Sequence, residues 1–502
     1  MNESLALVDY VVIVAFFAVM IGVGLFYARR QKSSDEFFGG DKSVPWYLAG
    51  VSYYMGSFSA LAFVMYSALA YKYGWIPVTL SWLNVPVVLL LTWFLALKWR
   101  RAVKSSPLEF HERRFTPKMR QGLVWLGLPM RILDGALKLF AIGTVVGVGM
   151  GFPVEAAIVV SGLVIIFYTF LGGLKATLVA DFIQFFILMG IVLVLPFFCL
   201  ERVGGLSGFV RNAPEGFFDL FVGKYTRLYV LVFFYAQFLE LSTSWSMVQR
   251  FYSTRSERDA KKAGYLVAVL LFVGPPLFFF PAMAARIFLP DIPDADLNGV
   301  YAVVCKSVLP AGLMGLVIAA MFSATMSTLA GFYNAISSVV TNDFYVRMLN
   351  PTASAKRQMA VARLSTFLAG ALVIGFTFVM RYAQGANDLF DVTNQLFGVF
   401  GNPIAVPVLA GLLVKRFSRF SGFAGLCVGI GAGVLAFVVG HWVPCLREMV
   451  VMNAITTVAT LAGMAWGTWW RPDAPEDAAD KEQFFRQLNT PSVVYEREGR
   501  GK

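Results

Sequence analysis

Charge is what this sequence has least of. Asp, Glu, Lys and Arg make up 14% of its 502 residues, against about a quarter in a soluble domain, which excludes a large water-soluble globule. Histidine occurs only at His111 and His441, far apart. The four cysteines, Cys199, Cys305, Cys427 and Cys445, form no CxxC pair. These shortages point to structural thiols and loop histidines and away from a metal or redox centre. Gly223-Lys224 is followed by Tyr225, so ATP-driven transport lacks its usual phosphate-binding loop. No HExxH and no nucleophile–histidine pair is embedded in an apolar stretch, which leaves a membrane enzyme without its chemistry. The first apolar block follows Glu3 and Asp9, with neither a basic leader nor a small-residue cleavage site. It is expected to stay as a membrane span.

What is abundant is apolar: 58% hydrophobic residues, with 47 Phe. A bilayer core of about 30 Å takes about 20 such residues per helical crossing. Thirteen blocks qualify, at roughly 8–28, 45–70, 75–98, 122–148, 153–171, 175–200, 226–247, 265–289, 306–343, 360–380, 389–414, 421–440 and 446–469. The ninth is too long for one crossing and is expected to project beyond the bilayer. Alternate loops carry the basic residues: Arg29, Arg30, Lys32 and Lys42; Lys98 to Arg120; Arg250, Arg255, Arg258, Lys261 and Lys262; Arg347 to Arg363; and Lys415 to Arg419. The loop with Asp291, Asp294 and Asp296 is acidic. Cytoplasmic loops are the basic ones, so the N-terminus is expected outside and the polar tail, 471–502, inside an inner membrane. The net charge of +12 then reflects loops facing anionic lipid. The partner is the bilayer; no nucleic acid and no obligate protein partner is expected.

A charge inside a span costs about 2.5–3.5 kcal/mol on insertion scales and needs a reason. Arg131, Asp134 and Lys138 share the fourth span, with Asp134 one turn from each base. Glu240 lies in the seventh beside Gln237, Ser242, Thr243 and Ser244. It either pairs with a base such as Lys138 or serves a solute or a gate. Two spans read as interrupted helices: Ser52-Tyr-Tyr-Met-Gly-Ser-Phe-Ser59 around Gly56, and Glu240-Leu-Ser-Thr-Ser-Trp-Ser246. Broken helices at matching places in two halves mark a transporter's binding site. Spans two to six and seven to eleven then form two halves of five. Ser323-Ala-Thr-Met-Ser-Thr328 adds hydroxyls on the ninth span. Such hydroxyls often only bond back to the preceding turn, but facing a broken helix they can also ligate a hard cation. Gly143, Gly147 and Gly151, four apart, allow close packing of the fourth span.

Several stretches resemble signatures of the sodium/solute symporter family, in the family's order. They are Ser34-Asp-Glu-Phe-Phe-Gly-Gly40 with Pro45-Trp46, Glu109-Phe-His-Glu-Arg-Arg-Phe115, Tyr168 to Gln184, and Met326 to Asp343. The last looks especially like the sodium/proline symporters, and the whole resemblance runs from about residue 8 to about residue 425. It implies an all-α membrane protein with a LeuT-like 5+5 inverted-repeat core. In segments this reads as an extra helix and loop (1–44), a first half (45–200), an outer loop (201–225), a second half (226–414), two peripheral helices (415–470) and the tail. It also implies a sodium-coupled importer of a small organic solute working by alternating access.

Carried over by position, sodium would meet the carbonyls of Met55, Phe58 and Ala324 and the hydroxyls of Ser327 and Thr328, with the Asp181 carboxylate nearby. The solute cavity would hold Ser57, Ser81, Asn84, Gln237, Glu240, Asn394 and Gln395. Departures from the family sharpen the expectation. Ala60-Leu-Ala-Phe63 stands where sugar-type members are polar, Ser57 where proline-type members have a carboxylate, and Ala330 and Gly331 where a second sodium would find hydroxyls. About one sodium per solute follows. The rivals are a proton-coupled transporter on the same fold and a transporter-like sensor. The stretch after Arg471 is too short for the fused signalling domain that a sensor would need.

Overall fold

Backbone amides in lipid have no water to bind, so apolar runs close their hydrogen bonds internally as helices. The computed structural model describes residues 6–28, 44–57, 59–102, 107–383 and 389–491. Among them the only β pairing is an isolated bridge, Val44 with Thr254. In chain order the main helices are α1 (Leu7–Ala28), α2 (Trp46–Ser57), α3 (Ala60–Tyr73), α4 (Ile76–Ala102), α5 (Pro117–Met150), α6 (Val154–Phe170), α7 (Thr177–Arg202), α8 (Arg227–Thr243), α9 (Trp245–Tyr252), α10 (Glu257–Phe288), α11 (Leu313–Ser338), α12 (Ala355–Ala383), α13 (Leu389–Leu396), α14 (Asn402–Leu413), α15 (Ser421–Val439), α16 (Met449–Trp470) and α17 (Pro475–Asn489). Helix occupies every one of the thirteen apolar blocks. Ten helices among the described residues are long and apolar enough to cross a membrane, or eleven with the bent pair α2–α3.

Local chemistry sets many of the ends. Thr116 caps α5 by accepting from Met119 N, Pro117 opens the first turn, and Gly151 closes it in the left-handed conformation. Gly143 and Gly147 do pack: a Cβ would come within 2.4 Å of Ile158 and 3.0 Å of Val154. Gly151 meets nothing within 4 Å, so its role is the cap and not the contact. The helical run Val154–Arg202 has 49 residues, about 74 Å if straight. One end lies near Val148, itself against Gly299, while Arg202 at the other bonds the Ser307 carbonyl at 3.1 Å. The run therefore doubles back, as α6 and α7. The ninth block is divided: Val300–Val308 is a separate helix, and the long run is Leu313–Leu349, 37 residues.

α11 is the axis of the molecule, with nearly every side chain buried. α1 docks on its N-terminal end. Asp9, 2% exposed, accepts from Gly315 N at 2.7 Å. The carboxylate thus caps the positive end of α11's dipole from another helix. The outward faces are apolar, as at Leu231, Phe272 and Leu435. Trp442, Trp469 and Trp470 are exposed at the span ends, where aromatic side chains favour the membrane interface.

The tail is more structured than its polarity suggests. α17 buries Phe484, Phe485 and Leu488. Arg113 and Arg114 lie over the Phe484 and Phe485 rings at 5.7 and 5.5 Å. Arg101 bonds the Leu488 carbonyl at 3.0 Å, and Arg419 pairs with Asp477 at 2.6 Å. His111 is buried in the same region. Burial, aided by Arg120, pulls it down to about 3, so it is a neutral core group and not an open loop histidine. Glu112 is held at about 2, chiefly by its hydrogen bond to Arg347 and then by Arg120.

Candidate functional site

Both interruptions expected from sequence are present. α2 and α3 bend by 57° about the gap between Ser57 and Ala60. Ser59 there is extended, with φ −151° and ψ 171°; Phe58 lies outside the described residues. α8 and α9 part at Ser244, whose ψ of 120° leaves the helical region. The two breaks adjoin. A Cβ on Gly56 would stand 3.5 Å from Met247 and 3.7 Å from Arg250. Ser57 Oγ donates to the Tyr53 carbonyl at 2.9 Å and lies 3.9 Å from Met247 Sδ.

The hydroxyl cluster of α11 closes on the first break. Ala60 N, the first amide beyond the gap, donates to Thr325 Oγ1 at 2.9 Å. Ser327 and Thr328 follow on the same helix and are buried, as are Met55 and Ala324. Thr328 Oγ1 donates back to the Ala324 carbonyl at 3.1 Å. Ser327 Oγ neighbours Asp181 but completes no hydrogen bond of normal geometry. Hydroxyls gathered beside a helix break are the kind of donors a hard cation needs in place of the water it sheds.

Asp181, on α7, is fully buried. Its Oδ2 accepts from Ser52 Oγ at 2.5 Å, and that hydroxyl accepts from Arg250 Nε at 3.2 Å. Arg250 Nη2 stands 3.8 Å from the carboxylate, and its side chain is 3% exposed. In sequence, Arg250 belongs to a run of loop bases. The structure instead places it on α9, beneath both breaks, because a buried carboxylate is stable only with a counter-charge. Its position six residues after the Ser244 break was the available signal.

Beside the breaks lies a cavity of about 260 Å³. Ser57, Ser81, Asn84, Gln237, Glu240 and Asn394 all line it, with Thr328 and Thr393. Gln395 does not border it: adjacent residues on a helix point about 100° apart. Arg131, Asp134 and Lys138 face in as well. Lys138 pairs with Asp134, and Lys138 Nζ and Arg131 lie 4.8 and 5.5 Å from the centre of the Phe332 ring. Glu240 is an exposed residue deep in the bundle, and the space it is exposed to is this cavity. Among the described residues it has no ion-pair partner within 4 Å, so the base-paired arrangement with Lys138 is not adopted.

A sequence model described as the sodium:solute symporter family matches residues 37–429. A sodium/sialic acid symporter, SiaT, of Proteus mirabilis is 27% identical over 452 residues, covering 86% of this chain and 89% of its own. A sodium/glucose cotransporter of Vibrio parahaemolyticus is 24% identical, covering 96% and 95%. A solved structure of a Na+-coupled sialic acid symporter, in a substrate-bound outward-open state, superposes with a TM-score of 0.82. It is 23% identical and covers 93% of this chain and 99% of that one. The fold is thus the LeuT-like helical architecture.

Proposed function

Because this chain belongs to the sodium:solute symporter family, we propose that it imports a small organic solute on a sodium gradient by alternating access. One contact carries the reading: the broken span and the hydroxyl-rich helix are joined at Ala60 and Thr325, next to Ser59, Leu61 and Thr328 on the cavity wall. Sodium would sit between the carbonyls of Met55, Phe58 and Ala324 and the hydroxyls of Ser327 and Thr328. Bound there, it would tie α2 and α3 to α11 and favour the solute-ready state, shifting a population without adding a new conformation. The relatives carry sialic acid and glucose.

The cytoplasmic tail, the external N-terminus, thirteen crossings and halves at 45–200 and 226–414 complete the proposal. So does a ratio of one sodium per solute. Ala330 and Gly331 offer no hydroxyls to a second ion, and one oxygen of Asp181, Oδ2, already meets Ser52 and Arg250. The deciding measurement is the reversal potential of solute flux in proteoliposomes at set sodium ratios. A coupling of one is expected, and a coupling of two would overturn the single site. Glu240, facing the cavity, favours proton coupling as the second reading. Uptake driven by a pH gradient with no sodium present would establish it.

A further inference from the structure

The cavity contains more charge than a sugar or a simple acid calls for. Two bases and two acids line it: Arg131 and Lys138 against Asp134 and Glu240. Their charges cancel in sum but not in place. Lys138 is spent on Asp134, and both bases gather over Phe332 on the α11 wall. Glu240 stands on the last turn of α8, its own carbonyl accepting from Ser244 N at 2.9 Å across the break. Its carboxylate is directed into open space.

When a transporter closes around its cargo, water leaves, and a carboxylate with no counter-charge at contact distance becomes very costly. A sugar can hydrogen-bond such a group but cannot neutralise it, and a plain carboxylate solute would add a second negative charge. A zwitterion leaves the total at zero and supplies the missing positive charge where it is needed. Resting on the symport reading above, we infer that the solute is a zwitterion whose protonated nitrogen docks on Glu240. Two further groups match such a solute. Asn84 Oδ1 is a buried acceptor without a partner, on a helix packed against α8, and Asn394 Nδ2 is a buried donor without one. An ammonium has three protons to give and a carboxylate takes several bonds.

The test uses the purified full-length chain in detergent, followed by thermal shift in sodium and in potassium. The probes are alanine, serine and proline, their N-acetyl forms, glucose and pyruvate. At least one free amino acid should stabilise the protein in sodium, and its N-acetyl form should not. Glu240→Gln should weaken that ligand tenfold or more, the scale of one lost charge-assisted hydrogen bond, while the shift caused by sodium alone persists and certifies the fold. Glu240→Asp should retain part of the binding. Sodium-dependent binding of glucose, pyruvate or an N-acetyl form, or of no free amino acid, overturns the inference and leaves symport standing. Binding equal in sodium and potassium instead removes the symport reading beneath it.

Discussion

At the scale of single residues, the site depends on oxygens and on one buried ion pair. Ser327 Oγ is buried and completes no hydrogen bond of normal geometry, so it is available to a cation. Ser327→Ala should raise the sodium concentration for half-maximal uptake by about tenfold, with little change in thermal stability in potassium. An unaltered sodium dependence would move the ion elsewhere. Arg250 makes a different prediction. Arg250→Ala leaves Asp181 charged and alone in the core, which should cost about 3–5 kcal/mol, read as a large drop in melting temperature. Adding Asp181→Asn should recover much of that loss, and a double variant as unstable as the single would show that the pair is not what holds α7 to α9. Asp181 was readable from its motif. Arg250 was not, because in sequence it belongs to a run of loop bases and only the fold brings it beneath the breaks.

At the scale of elements, hydropathy located the helices and hydroxyl-flanked glycine located the first break. Both signals are local: an apolar run states its own solvent, and Gly56 marks where the helix yields. What composition could not reveal was an element whose stability is wholly tertiary. α17 is polar overall, and its three buried side chains matter only because Trp99, Phe110 and two arginines stand ready to receive them. The doubling back of α6 and α7, by contrast, was visible as two blocks. Phe485→Asp should release α17 while the membrane core stays intact. Trypsin should then cut at Arg486 in the folded variant several times faster than in the parent. Equal cutting rates would mean that the tail is not latched by this face.

At the scale of the whole molecule, the loop charges predict an orientation that a native thiol can report. Cys445 is exposed in the connection between α15 and α16, Cys427 is exposed within the apolar helix α15, and Cys199 and Cys305 are buried. With the N-terminus outside, a membrane-impermeant maleimide should label Cys445 in intact cells, and Cys445→Ser should abolish the labelling. Labelling that appears only after permeabilisation would invert the topology.

The cap that α1 places on α11 also bears on how the chain is made. Asp9 and Gly315 are 306 positions apart. At about 5–20 residues per second of synthesis, the first helix waits roughly 15–60 s for its partner. Until then the Ala6 amide, just ahead of α1, is a local donor to its carboxylate. The site's central helix is therefore sealed by a segment made 306 residues before it. A Cβ at Gly315 would stand 2.4 Å from the Asp9 carbonyl. Even one added methyl would obstruct this late docking, and the damage would appear as chains lost during assembly, before any of them had carried solute.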